Sequence, residues 1–105
     1  MTELNRAEFL SITNRSNDPA LVIFSAPWCS YCRHLMPAMT RLSHEYAHIT
    51  FGVIDIDQES QLAHQEQIEV IPTLVLYRSG QALGSIVVPE SSAQVETFLR
   101  EALNL

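Results

Sequence analysis

The chain has only two cysteines, and two residues separate them in the segment Trp28-Cys29-Ser30-Tyr31-Cys32-Arg33. A pair at this spacing carries out thiol–disulfide exchange or binds a metal ion, and so few cysteines argue against the disulfide scaffold of a small secreted protein. In exchange, one thiolate attacks a substrate disulfide and the second cysteine then displaces the substrate. The pair therefore predicts a redox site, with metal binding as the competing chemistry.

The metal alternative depends on two histidines. His44 and His48 follow Cys29 and Cys32 at a spacing within one residue of a zinc finger. A continuous helix would place His44 roughly 18 Å beyond Cys32, whereas zinc ligands lie about 2.0 to 2.3 Å from the ion. We therefore predict no metal site, and we expect His44, His48 and His64 to be exposed polar residues.

The residues around the pair predict a strand that ends just before Cys29 and a helix that begins there. Residues 20–24 form a short, β-branched apolar run, typical of a strand buried on both faces. At the start of a helix, free backbone N–H groups and the helix dipole stabilise a thiolate. Cys29 is thus the predicted nucleophile, and Cys32, one turn later, is the more buried resolving cysteine. The helix has one apolar face, formed by Leu35, Met39, Leu42 and Tyr46.

The rest of the chain supplies elements that can enclose this site. Pro37 predicts a kink in the long helix. The other predicted elements are a helix over 6–15 with a capping box of Asn5 and Glu8, a strand over 49–56, a short helix over 58–67, a hairpin of 73–77 and 83–88, and a last helix capped by Ser91 and Gln94. This order predicts an α/β fold with a mixed sheet, in a single domain over 1–105.

Composition excludes several classes of function. Six basic residues against twelve acidic ones leave a net charge of −6, which argues against nucleic acid and anionic membranes as partners. All the basic residues are arginine, so Schiff-base and phosphate-loop lysine chemistry are excluded. No signal peptide or membrane span is predicted, and we expect a cytoplasmic protein.

Several segments together resemble the thioredoxin family. The matching segments, in order and spacing, are Phe24-Ser-Ala-Pro-Trp-Cys29, Pro37, Ile71-Pro72-Thr73 and Gly80, within a resemblance that spans residues 20–103. The resemblance implies a thioredoxin fold, an α/β architecture whose central mixed sheet of four or five strands is flanked by four helices. It also implies a cis peptide bond before Pro72, with the Ile71 backbone offering hydrogen bonds to an extended substrate segment.

The same resemblance implies an enzyme, a thiol–disulfide oxidoreductase that reduces protein disulfides. Its catalytic residues are Cys29 and Cys32, and its substrate-binding residues are Trp28, Ser30, Tyr31, Ile71 and Pro72. The redox-active disulfide serves in place of a cofactor. The implied partners are protein disulfides and, as electron donor, a thioredoxin reductase or a glutathione system; we expect a monomer.

Two apolar residues depart from the family pattern. Thioredoxins bury an acid six residues before the first cysteine, where this chain has Ile23, and the usual lysine partner is replaced by Val53. We therefore expect a drier site and slower resolution by Cys32. Substitute bases would be Asp55, His34 or Glu69, although the simpler interpretation of each is a solvated surface residue.

Other departures concern the edges of the site. Ser30 and Tyr31 replace the Gly-Pro of many reductases, which leaves the redox potential open. Val88 stands where thioredoxins have a glycine. Only residues 1–4 precede the first helix, so the leading strand is expected to be missing. Asp55, Asp57 and Glu59 are interpreted as capping residues of the next helix rather than as a cation site.

Three alternatives remain open at this stage. Ile23 and Val53 also suit a binding or chaperone module that docks one client with little redox turnover. The Ser30-Tyr31 pair occurs in some glutaredoxins, but Trp28 and Ile71-Pro72-Thr73 disagree with that family. An exported oxidase that has lost its signal is a third possibility. For Trp28 itself, a core aromatic and a docking surface are equally good interpretations.

Overall fold

The computed structural model describes residues 1–14 and 17–105. Within these residues a five-stranded sheet is flanked by four helices. The elements in chain order are β1 (Thr2–Glu3), α1 (Arg6–Thr13), β2 (Ala20–Ser25), α2 (Ser30–Glu45), β3 (Thr50–Asp55), α3 (Ser60–Gln65), β4 (Thr73–Arg78), β5 (Gln81–Val87) and α4 (Ser92–Leu103). None of these helices combines the length and apolar character needed to cross a bilayer.

The sheet is mixed, as the sequence predicts. Its strand order is β1-β3-β2-β4-β5, with β1 and β2 parallel to β3, and β4 antiparallel to both β2 and β5. The prediction of a missing leading strand is wrong, because Thr2 and Glu3 pair with Gly52 and Val53. A strand of two residues is too short to show alternating apolar and polar side chains in the sequence. It is therefore recognised only from its pairing with β3.

Each face of the sheet carries its own core, because successive strand residues point to opposite faces. Leu21 and Ile23 of β2 pack on one face with α2 and α4, whose buried residues include Met39 and Leu99. Val22 and Phe24 face the other way, in the cluster that includes residues of α1 and α3. All of β2 is buried, which confirms the predicted central strand.

Most element boundaries agree with the sequence prediction. The capping box of Asn5 and Glu8 starts α1, which ends at Thr13; the predicted end at Arg15 lies outside the described residues. The short helix α3 is four residues shorter than predicted. Hairpin β4–β5 is confirmed, and its turn uses positive φ at Ser79 and at Gly80, where a glycine meets no steric penalty.

Candidate active site

The cysteine pair lies where the central strand β2 ends and the helix α2 begins. Cys29 is the N-cap of α2 in extended conformation, and its sulfur accepts a hydrogen bond from the backbone N–H of Cys32 at 3.2 Å. The two cysteines form a disulfide, with Cα atoms 5.3 Å apart. Cys29 therefore stands at the N-terminus of α2, as the sequence predicts, with its sulfur near the free N–H groups of the first turn.

The two sulfurs differ in access to solvent. Cys29 is half-buried, whereas Cys32 is only 1% exposed. A substrate disulfide can therefore reach Cys29 but not Cys32. When the pair is reduced, the Cys32 N–H and the positive end of the α2 dipole favour the Cys29 thiolate, which is the attacking species in exchange. The geometry supports the predicted order of attack and resolution.

Trp28 is a surface residue, not a core aromatic. Its side chain is 65% exposed, and its indole N–H donates a hydrogen bond of 2.7 Å to Oδ2 of Asp57. Glu59 is the N-cap residue of α3, as predicted, but its side chain makes no capping hydrogen bond among the described residues. Asp57 instead holds Trp28 beside Cys29. Sequence reasoning missed this contact because 29 residues separate its two partners.

The loop before β4 lies next to the cysteines. The Ile71–Pro72 peptide bond is cis, and Pro72 is buried while Ile71 is half-buried. Thr73 pairs with Phe24 of β2, so the residues just before Thr73 lie at the same end of the sheet as Cys29. The chain thus brings together the two predicted substrate-binding segments, although they are about forty residues apart in sequence.

A third loop, after β5, forms the remaining wall. The Val88 N–H donates to the Pro72 carbonyl at 2.8 Å, and the Tyr31 hydroxyl donates to the Pro89 carbonyl at 2.7 Å. Val88 has a φ of 46°, in the left-handed region that a β-branched residue rarely occupies. The glycine that the family resemblance implies at this position would meet no steric penalty at this φ.

Exposed apolar side chains surround the site. They are Trp28, Tyr31, Val70, Val87 and Val88. Beside them a groove of about 410 Å³ is lined by Ser30, Tyr31 and His34 of α2 and by residues 89–92. All five predicted substrate-binding residues therefore lie at one end of the sheet, and Val88 and Asp57 join them.

The side of Cys32 that faces the sheet has a different character. Ile23 is fully buried in the apolar core, and Val53 packs against the same cluster. Asp55, expected to be a solvated surface residue, is only 7% exposed, whereas His34 and Glu69 are exposed. The expectation for Asp55 is wrong because the end of β3 is covered by neighbouring elements, which no local pattern reveals.

The zinc-finger interpretation finds no support in the geometry. Cys29 and Cys32 are bonded to each other, and His44, His48 and His64 are exposed. Across residues 1–14 and 17–105, no group of three or more histidine, cysteine or acidic side chains could hold a metal ion.

Comparison with known proteins gives consistent results. Residues 1–101 match the family model described as Thioredoxin. The Aspergillus fumigatus protein "Thioredoxin Asp f 28" is 35% identical over 85 residues, which cover 81% of this chain and 79% of that protein. The "Bifunctional thioredoxin reductase/thioredoxin" of Mycobacterium leprae is 32% identical over 92 residues, 87% of this chain and 20% of that protein. The solved thioredoxin structure from Plasmodium falciparum superposes with a TM-score of 0.86 at 25% identity, over 95% of this chain and 96% of that one.

Proposed function

This chain belongs to the thioredoxin family and is a thiol–disulfide oxidoreductase, and from that premise we propose that it works as a reductase of protein disulfides. The observation that carries the proposal is the asymmetry of the pair. A half-buried Cys29 caps a helix, and a buried Cys32 lies one turn behind it. Such a pair exposes one nucleophile and protects the other until it is needed.

The reaction proceeds in two exchange steps. The Cys29 thiolate attacks one sulfur of the substrate disulfide, the substrate S–S bond breaks, and one substrate sulfur leaves as a thiolate. The Cys32 thiolate then attacks Cys29, which breaks the mixed disulfide and releases the second substrate sulfur. Two electrons pass from the cysteine pair to the substrate, and the Cys29–Cys32 disulfide remains. No cofactor beyond this disulfide is required.

The rest of the site orients the substrate. We propose that the exposed rings of Trp28 and Tyr31 contact its apolar side chains, with Ser30 at the adjoining groove. The backbone of Ile71, beside Pro72, would hydrogen-bond an extended substrate segment in the manner of an added strand.

The proposed reaction needs an electron donor that reduces the Cys29–Cys32 disulfide again. Fusion of a thioredoxin reductase to the relative in Mycobacterium leprae supports a reductase of that kind as the electron donor. A glutathione system is the alternative donor. In a reducing compartment such as the cytoplasm, the net direction is reduction.

The redox potential tests the direction of the reaction. We would equilibrate the Cys29–Cys32 couple in glutathione buffers and follow the fluorescence of Trp28, which lies beside the pair. A value near about −270 mV would establish a reductase, whereas about −120 to −180 mV would indicate an oxidant or isomerase. A pair that does not cycle would overturn the proposal.

A binding module is the second candidate function, because Ile23 and Val53 make the core beneath the pair apolar. The two functions differ in their need for sulfur chemistry. Cys29→Ser abolishes the effect on a client if the protein is a reductase, but leaves it intact if docking alone matters.

A further inference from the structure

Rapid resolution calls for a proton acceptor close to Cys32. Before Cys32 can attack the mixed disulfide, its thiol must lose a proton, since only the thiolate is nucleophilic. Cys32 is 1% exposed, so bulk water cannot readily take that proton. Ile23, which lies buried beneath α2, has no group that could accept it.

One carboxylate lies on the correct face of the sheet. Side chains alternate along a strand, so Asp55 points to the same face as Val53, which packs on the core beneath α2. Ser25 of β2 pairs with Asp55 in the parallel register and also points toward α2. Cys32, in the first turn of α2, lies at this end of the two strands, since it lines one cavity with Ser25 and Asp55.

A small cavity connects Asp55 with the resolving cysteine. Its volume is about 190 Å³, and Ser25, Cys32 and Asp55 are among the residues that line it. This volume has room for several water molecules, and the lining offers polar partners for them. The cavity thus links the Cys32 sulfur with the Asp55 side chain by a space large enough for water.

The Asp55 carboxylate is available for this task. It is the one buried acidic side chain among the described residues. Its Oδ1 accepts the backbone N–H of Asp57 at 2.8 Å, while Oδ2 takes part in no hydrogen bond within residues 1–14 and 17–105. One oxygen thus anchors the side chain and the other is free to accept a proton.

We propose that Asp55 is the proton acceptor for Cys32 during resolution, acting through water in this cavity. The proton leaves the Cys32 sulfur for Asp55, the Cys32 thiolate attacks Cys29, and the Cys29–substrate bond breaks. The electron pair leaves on the substrate sulfur, and Asp55 returns its proton to solvent. This inference rests on the proposed function and specifies how its second step begins.

Two other charged side chains line the cavity, Glu3 from β1 and Arg33 from α2. Both are exposed, and Arg33 is anchored by a hydrogen bond to the Pro27 carbonyl. Asp57, the next acidic residue after Asp55, accepts the hydrogen bond from Trp28. Glu3 therefore provides a matched control, because it carries the same charge at the same cavity but lies at its exposed edge.

A chromogenic disulfide separates the two steps. Reduced protein mixed with dithiobis-nitrobenzoate releases one coloured thiolate when Cys29 attacks and a second when Cys32 resolves. Asp55→Asn should slow the second release roughly 100-fold near neutral pH, within the usual range of general-base catalysis, and leave the first release unchanged. Glu3→Gln should leave both releases unchanged. The asparagine oxygen can still accept the Asp57 N–H, and urea unfolding checks that the variant is folded.

The pH profile distinguishes proton transfer from a structural effect. In Asp55→Asn, hydroxide becomes the acceptor, so the second release should rise about tenfold per pH unit and be accelerated by added formate. The unaltered protein should show a flatter profile and no response to formate.

Three results would overturn the inference. They are a second release within twofold of the unaltered protein in Asp55→Asn, equal slowing in Glu3→Gln, or acceleration of the unaltered protein by formate. The last result requires no variant to fold. Absence of the first release would instead contradict the proposed function itself.

Discussion

Ile23 is a buried side chain that makes the core beneath the cysteine pair apolar. It is fully buried in the cluster that contains Leu35 and Met39 of α2, and the neighbouring Val53 is apolar as well. A charged group introduced here would have no counter-ion on β3. The polar side chains beneath the cysteine pair therefore lie farther along the strands, at Ser25 and Asp55.

Replacing Ile23 with the acid typical of the family should destabilise this protein. We expect Ile23→Asp to lower the free energy of unfolding of the oxidised form by about 3 kcal/mol or more, because the carboxyl group is buried without a partner. Ile23→Val, the control, should cost only about 1 kcal/mol. Urea unfolding measures both, and equal costs would show that the pocket accommodates the charge.

A second buried residue gives a prediction at high pH. Burial raises the pKa of Tyr77 well above its ordinary value of about 10, and its hydrogen bond of 2.6 Å to the Glu66 carboxylate raises that pKa further. The folded state therefore keeps the phenol protonated where the unfolded chain loses the proton. The resulting stability is complete below about pH 10 and declines above it.

We expect the free energy of unfolding to fall by up to about 1.4 kcal/mol per pH unit above about pH 10 because of Tyr77. Tyr77→Phe should show a shallower decline over the same range. Urea unfolding of both proteins at several alkaline pH values checks this difference. Parallel curves would mean that Tyr77 does not contribute.

Among the elements, β1 depends on a glycine in its neighbour. Gly52 of β3 pairs with Thr2, and a Cβ at Gly52 would lie 2.5 Å from the nearest side-chain carbon of Leu4, which is buried. Leu4 also anchors the segment that follows β1, through a 2.7 Å hydrogen bond from its N–H to the Val53 carbonyl. Close contact between Gly52 and Leu4 thus holds the edge of the sheet.

Gly52→Ala should therefore loosen β1. Displacement of Leu4 should cost about 1–3 kcal/mol, the usual range for overpacking, and hydrogen exchange at the Leu4 N–H should become faster. Gly84→Ala is the matched control, because its added Cβ would meet only Phe98, at an ordinary contact distance of 3.4 Å. Equal effects of the two substitutions would refute the packing argument.

At the scale of the whole molecule, the net charge of −6 should influence which substrates react fastest. A negative protein attracts cationic partners over distances that salt then screens. The rate of reduction of cystamine, a dication, should fall as ionic strength rises, and the rate for dithiodiglycolate, a dianion, should rise. Comparing the sign of the two slopes removes differences in intrinsic reactivity. Slopes of the same sign would exclude electrostatic steering.

The sequence by itself determined most of the architecture and the identity of the reactive pair. Local patterns can be recognised in a sequence without knowledge of distant partners. They include the apolar run of β2, the helical face with Leu35 and Met39, and the hairpin turn at Gly80. The position of Cys29 between a strand and a helix is equally local. Its predicted role as nucleophile needed no tertiary contact.

Only the tertiary structure decided which polar groups lie around the cysteine pair. Trp28 reaches Asp57, and Tyr31 reaches Pro89, across 29 and 58 residues of chain. Burial of Asp55 and the pairing of β1 likewise depend on elements that approach from elsewhere. A side chain's periodicity specifies its face but not what covers that face, because burial is a property of the assembled layers. The nucleophile Cys29 could therefore be identified from its neighbours in sequence, whereas Asp55 was one of three candidate bases until its burial distinguished it from His34 and Glu69.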